Sequence, residues 1–257
     1  PILAPAFAGF LVENYGWRMV FVIASVTGFA VLIWTAMRFP ETTREKVEIP
    51  NLFSVFQAYF NVLAERRFVF YTLVTTFVMT GFFSMMSGAP HLAEEAWGLS
   101  KEALGYYFAM GALGMMVTTF ITARLAQKVD NNRLMLIGLG LSLTGPLVVS
   151  VLFLMGLDHP ASFFVPMVLM GAGAGLVLPT ATTGALAIIP RMAGTASGMM
   201  TFLQFAIAGI AAQAIGYFYH GTPWVIVAFM VGGIGLAFVS AITAIMAKPV
   251  ASPSAGE

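Results

Sequence analysis

The residues best suited to binding chemistry lie inside long stretches of sequence that carry no formal charge. Phe82, Phe83 and Met86 form a soft, polarizable cluster in one stretch, and such side chains suit a cavity for apolar organic molecules. Later stretches add uncharged polar residues, each of which needs either another helix or a bound ligand as its hydrogen-bonding partner. We therefore predict a substrate-binding site formed by Phe82, Phe83, Met86, Thr180, Thr182 and Gln204.

The same stretches lack the groups that catalysis or metal binding requires. The chain has no Cys, and its histidines, His91, His159 and His220, lie at the ends of the stretches. Residues scattered along the edges cannot converge on one metal ion, and no carboxylate pair lies within the apolar stretches. A formal net charge of +1 provides no basic patch for nucleic acid. We expect no enzymatic activity, no metal and no cofactor.

The elements that position these residues are predicted transmembrane helices. With 59% hydrophobic residues and a mean hydropathy of +0.90, the chain has more apolar surface than one soluble core can bury. Seven stretches exceed the ~20 residues that a helix needs to cross the hydrocarbon. The predicted fold class is an all-α membrane protein with seven full transmembrane helices and, at residues 1–11, a partial one. The predicted spans are 17–37, 68–89, 103–123, 134–157, 161–189, 192–219 and 221–247.

The basic residues are sorted between the two sides of these spans. Ten of the twelve Lys and Arg residues fall in alternate gaps, and the other gaps hold only Arg18 and Lys101. Basic residues in short loops stay cytoplasmic, so the side with ten is predicted to be cytoplasmic, as is the tail at 248–257. The ten are Arg38, Arg44, Lys46, Arg66, Arg67, Arg124, Lys128, Arg133, Arg191 and Lys248.

The chain is predicted to have four parts. Residues 1–37 end one group of helices, 38–67 form a cytoplasmic linker, 68–247 form a six-helix bundle, and 248–257 form the tail. Within the linker, apolar residues recur at helical spacing after Asn51, a plausible N-cap. This pattern predicts an amphipathic helix that lies at the inner membrane surface, with an ordinary soluble linker helix as the alternative. A loop over 91–102 is predicted on the outer side.

Several residues are candidates for gating. Arg124, Asp130 and Arg133 lie between two spans, where they could pair with facing helix ends when the inner gate is shut. Arg191 has the same position in the next inner loop. For all four, the alternative is that they only set the topology. Pro179 predicts a helix kink that moves during transport. For the surrounding glycines, close helix packing is the alternative interpretation.

Several short motifs give the chain a resemblance to the major facilitator superfamily, and within it to the Bcr/CflA type of drug:proton antiporters. Pro5 and Gly9 look like the end of the antiporter motif on the family's fifth helix, with Ala8 where a second Gly is usual. The loop 129–133 departs from the pattern, because relatives often have Gly with basic residues there. The stretches that carry the resemblance are 1–9, 16–18, 40–42, 87–90, 123–125, 178–182, 194–198 and 202–205.

The resemblance implies a fragment of a major facilitator fold, comprising the second half of a twelve-helix transporter plus one and a half helices of the first. In this family a cavity lies between two six-helix halves that rock about a midplane site. The spans 68–89 and 161–189 would face that cavity. The implied partners are the lipid bilayer, a small-molecule substrate, protons and the missing N-terminal half, and the implied location is the bacterial inner membrane.

Three hypotheses about function follow. The leading one is export of small apolar or amphipathic compounds by proton antiport with alternating access, with the proton gradient as the coupling source. These spans contain no titrating carboxylate, so the coupling group is expected in the missing half. An uptake permease for a small metabolite is the second hypothesis, although it would be expected to place cations or several amides in the cavity. A membrane receptor or assembly subunit without transport is the third.

Overall fold

The computed structural model describes residues 3–38 and 52–247, and these residues form helices joined by short connections. The first two helices form a hairpin: α1 (Leu3–Tyr15) and α2 (Trp17–Arg38) meet at Gly16, whose φ of 84° only glycine adopts without strain. The linker helix predicted from the amphipathic pattern is present as α3 (Leu52–Ala64). The proposed N-cap Asn51, residues 39–50 of the linker and the tail at 248–257 lie outside the described residues.

Six longer helices follow. They are α4 (Arg66–Trp97), α5 (Lys101–Leu125), α6 (Asn131–Leu154), α7 (Pro160–Ile188), α8 (Ala193–Phe218) and α9 (Trp224–Met246), with a 3₁₀ turn at Pro190–Met192. In the described part of the chain, seven helices are long and apolar enough to cross a membrane. The predicted all-α fold class is therefore confirmed.

One predicted boundary is wrong. The sequence pattern ended the first span of the bundle at residue 89 and placed a loop over 91–102, but α4 continues through Pro90 to Trp97. The sequence pattern ended the span here because the acidic residues of this segment are unfavourable in hydrocarbon. A helix can nevertheless continue beyond the hydrocarbon into water, where these residues are accommodated. The helix ends at Gly98, which adopts the left-handed φ of 58° that is common after a helix C-terminus.

The main buried core comes from α3, α4 and α6 to α9, and partly buried residues of α5 pack against it. α4 and α7 are the most buried of the membrane helices, and they contact each other. α4 also packs on α8 and α9, while α7 packs on α5 and α6. The glycines of α7 allow this close approach: a Cβ at Gly171 would overlap the backbone of α5, and one at Gly173 would overlap the backbone of α6. By contrast, α2 has no buried residue and packs mainly on α1.

Candidate substrate-binding site

The predicted aromatic residues lie where α4 meets α8. Phe82 and Met86 are half-buried and pack against the core of the bundle. The ring of Phe83 lies 6.1 Å from that of Phe82 and 5.6 Å from that of Phe205, an exposed residue of α8. We call Phe82, Phe83, Met86 and Phe205 the aromatic wall. It offers polarizable apolar surface and no formal charge, which suits contact with an apolar ligand.

The amide of Gln204 on α8 contacts α4 at Thr75. Thr75 precedes Phe83 by eight helical residues, so this contact lies about 12 Å along α4 from the aromatic wall. Its Nε2 donates a hydrogen bond to the Thr75 hydroxyl at 3.0 Å, and that hydroxyl in turn donates to the Thr72 carbonyl at 2.8 Å. The sequence predicted either another helix or a bound ligand as the partner of this amide, and in the structure the partner is the neighbouring helix α4. Contact of Gln204 with a substrate stays a prediction.

The predicted threonines of α7 differ in their accessibility. Thr180 is buried, and its hydroxyl donates to the carbonyls of Leu176 and Val177 in its own helix. Thr182 is half-buried, and Pro179 lies beside it on the part of α7 that other helices leave partly exposed. Thr182 and Pro179 are therefore partly accessible, whereas Thr180 is not, and contact of any of the three with a substrate stays a prediction.

A row of buried hydroxyls along α4 was not predicted. Thr80 and Ser84 donate to carbonyls one turn earlier, whereas the hydroxyls of Thr72 and Thr76 are buried without a hydrogen-bonding partner among the described residues. An unpaired buried hydroxyl costs free energy, so these two groups mark a polar stretch beside Gln204. The sequence signal was available, because residues 72, 76, 80 and 84 recur every four positions on one face of a helix.

At the end of the bundle predicted to face the cytoplasm, two helices are joined by residues other than the predicted gate. Asp130 caps its own helix, since its carboxylate accepts hydrogen bonds from the backbone amides of Asn132 and Arg133 at 2.9 and 3.2 Å. The link between helices is instead made by Tyr71 of α4, whose hydroxyl donates to the Asn132 side-chain oxygen at 2.6 Å. The predicted cations Arg124, Arg133 and Arg191 are exposed, and their gating role stays a prediction.

At the outer end, α1 packs closely on α5. A Cβ at Gly9 would lie 2.7 Å from the Lys101 carbonyl oxygen, so only glycine allows this approach. Glu13 adds a polar link, because its Oε2 accepts a hydrogen bond from the Glu102 backbone amide at 3.1 Å. Pro5 lies within the first turn of α1. The motif residue Gly9 therefore has a defined packing role, and Glu13 was missed by the sequence analysis.

One tyrosine at the outer mouth has a perturbed hydroxyl. Burial, followed by the negative charge of Glu95, raises the pKa of Tyr219, which follows the C-terminal end of α8. The ring of Tyr219 lies 5.8 Å from that of His91. A tyrosine hydroxyl is protonated at neutral pH even at its ordinary pKa, so Tyr219 is a neutral hydrogen-bond donor there and the shift only strengthens this state.

Comparisons with known proteins agree with the motifs. The family model described as Major Facilitator Superfamily matches residues 1–213. The "Bicyclomycin resistance protein homolog" of Haemophilus influenzae is 25% identical over 222 residues, covering 84% of this chain and 54% of that protein. "Multidrug resistance protein D" of Escherichia coli is 24% identical over 213 residues, covering 83% and 53%. The "Multidrug efflux protein YfmO" of Bacillus subtilis is 26% identical over 248 residues, covering 94% and 57%.

The chain thus spans about half the length of the curated relatives that it matches. The resemblance to this superfamily predicted from the short motifs is confirmed.

Proposed function

Because the chain belongs to the major facilitator superfamily, we propose that it forms a substrate-handling bundle of a secondary active transporter. This transporter exports small apolar or amphipathic organic compounds in exchange for protons, by alternating access. The observation that carries the proposal is the aromatic wall, in which Phe83 of α4 and Phe205 of α8 present polarizable surface at the edge of α4, one of the two most buried helices. The resistance and efflux proteins among the relatives add support.

The choice of export over metabolite uptake depends on charge. Sugars and organic anions are bound by cations or by several amides, whereas the spans of the bundle, 68–89 to 221–247, contain no Lys or Arg. The amide of Gln204 already has a partner in Thr75. Dispersion and aromatic contacts are then the main source of ligand affinity, and they favour apolar compounds.

Coupling to protons requires a carboxylate that can titrate in the cavity. The spans of the bundle contain no Asp or Glu, so we propose that this carboxylate lies in a second helix bundle that completes the transport path. The match covers only 54% and 53% of two of the curated relatives, which is consistent with such an arrangement. The inner bacterial membrane, with the C-terminal tail in the cytoplasm, is the location that fits both the basic loops and the proton gradient.

Ligand binding by the purified chain tests the proposal. We expect the aromatic, amphipathic dye Hoechst 33342 to raise the melting temperature, and the polar anion gluconate to leave it unchanged. Phe83→Ala should raise the Kd of the stabilising compound about fivefold to tenfold. An aromatic contact contributes about 1 kcal/mol to binding in addition to the burial of its apolar surface. Phe120→Ala is the matched control, because Phe120 is a 68% exposed phenylalanine on α5, outside the wall. Stabilisation by gluconate alone would favour uptake, and equal effects of the two variants would contradict the wall as the binding surface.

A further inference from the structure

A groove at the inner end of the bundle combines one cation with apolar walls. It has a volume of about 530 Å³ and lies between the end of α3, the first turns of α4 and the last turn of α9. Arg66 is its charged lining residue, and Val69, Phe70 and Met246 provide apolar surface. Thr243 also lines the groove, but its hydroxyl donates to the Val239 carbonyl of its own helix at 2.8 Å. A ligand that fits must therefore pair an anionic group with a hydrocarbon body.

The position of the groove matches the boundary of the membrane. Arg66 is the first residue of α4 and Met246 is the last residue of α9, so both lie where a membrane-spanning helix begins or ends. Phe70 lies one turn deeper, about 6 Å along α4. A phospholipid has this same order, with its phosphate at the surface and its acyl chains below. A soluble anion would satisfy Arg66 but would leave the apolar wall uncovered.

Two neighbouring cavities lack this combination. The apolar groove of about 350 Å³ between α3 and α8, which includes Phe60 and Phe202, has no charged lining residue. The cavity of about 440 Å³ around Arg67 and Tyr71 contains the carboxylate of Glu65, which disfavours an anion. Among these three cavities, the Arg66 groove alone has a cation without an acidic lining residue.

We propose that the Arg66 groove binds an anionic phospholipid of the cytoplasmic leaflet. The guanidinium of Arg66 holds the lipid phosphate near Met246, and one acyl chain lies along Val69 and Phe70. Because the end of α3 forms one wall of the groove, the bound lipid stabilises the linker helix against α4 and α9. The cytoplasmic leaflet is the natural source, since its negative surface attracts basic segments next to membrane helices.

Native mass spectrometry of the whole chain in maltoside detergent tests this proposal. The probes are dioleoylphosphatidylglycerol, which is anionic, dioleoylphosphatidylcholine, which is zwitterionic, and free sn-glycerol 3-phosphate. We expect the chain to retain phosphatidylglycerol in preference to phosphatidylcholine, and Arg66→Gln to reduce that preference about fivefold, the effect of one basic residue at a lipid surface. Lys128→Gln is the matched control, because it removes one exposed charge at the same end of the bundle, in the connection between α5 and α6, away from the groove.

A second variant covers the case in which Arg66→Gln fails to fold. Met246 is 76% exposed, so Met246→Glu should fold normally, yet its carboxylate should repel the lipid phosphate and reduce phosphatidylglycerol retention to a similar extent. Equal retention by the Arg66, Met246 and Lys128 variants would overturn the proposal in favour of nonspecific attraction to basic loops. Displacement of the lipid by equimolar glycerol phosphate would also overturn it, by revealing a site for soluble phosphate.

Discussion

The two amides within α8 have different environments. Gln204 donates to the Thr75 hydroxyl across the contact between α8 and α4, and it is half-buried. Gln213 is exposed and lines a shallow surface depression with Phe205 and Tyr217. An amide within hydrocarbon gains from any partner, but hydrogen bonds between membrane helices contribute on average only about 0.6 kcal/mol. Gln204 thus makes a modest contribution to helix packing, and its side chain remains partly exposed.

Substitution of the two amides separates packing from ligand binding. Gln204→Leu should lower the melting temperature of the purified chain by about 2 °C, because it removes one hydrogen bond between helices. Gln213→Leu removes the exposed amide of the same helix, and it should leave the melting temperature unchanged. Differential scanning fluorimetry in detergent measures both variants. If Gln204→Leu instead weakened ligand binding at an unchanged melting temperature, a direct contact with substrate would be its main role.

The helix at the centre of the bundle depends on small residues. α7 touches α5 at Gly171 and Gly175 and touches α6 at Gly173, where an added Cβ would overlap Ser142 and the Gly138 carbonyl. Glycines at such contacts let two backbones approach closely, and the resulting van der Waals packing replaces the hydrophobic driving force that lipid does not supply. The glycines that precede Pro179 in the sequence therefore serve helix packing, the alternative that the sequence left open for them.

An alanine pair tests this packing. Gly173→Ala should destabilise the bundle by about 1–3 kcal/mol, as overpacking of a tight core does, and should lower both the melting temperature and the yield of monodisperse protein. Gly232→Ala on α9 is the control, because a Cβ there meets open space. Equal melting temperatures for the two variants would mean that α7 can shift to accommodate the methyl group.

At the scale of the whole molecule, the basic residues define two sides. Arg66 begins α4, and Lys128 and Arg191 belong to connections at the same end of the bundle, whereas Lys101 begins α5 at the other end. The end that carries most of the basic residues is the one expected to face the cytoplasm and the anionic headgroups of the cytoplasmic leaflet. The Arg66 groove lies at this same end, whereas the contact of Gly9 with α5 lies at the opposite one.

Single-cysteine labelling tests this orientation, and it is simplified because the chain contains no cysteine. We expect a membrane-impermeant maleimide applied to intact cells to label Leu157→Cys, which lies exposed between α6 and α7. Lys128→Cys, between α5 and α6, should be labelled only after the membrane is permeabilised. The reverse pattern would show that the basic end faces outward and would contradict the predicted cytoplasmic tail.

The sequence by itself determined the number of spans, their approximate bounds and the predicted sidedness, because these depend on local composition. A window of about 20 apolar residues identifies a span, and the placement of Lys and Arg orients it. The motifs also identified the family. The one wrong boundary, at the end of α4, arose where the composition changed at Glu94 and Glu95 although the helix continued.

Only the tertiary structure decided which side chains meet. Gln204 pairs with Thr75 across 129 positions of the chain, and Tyr71 pairs with Asn132 across 61. A membrane helix that is apolar on every side has no pattern that tells its buried face from its lipid face. The buried state of Thr180 and the partly exposed state of Thr182 therefore followed from the packing of α7 against its neighbours, and no local feature of the sequence could distinguish them.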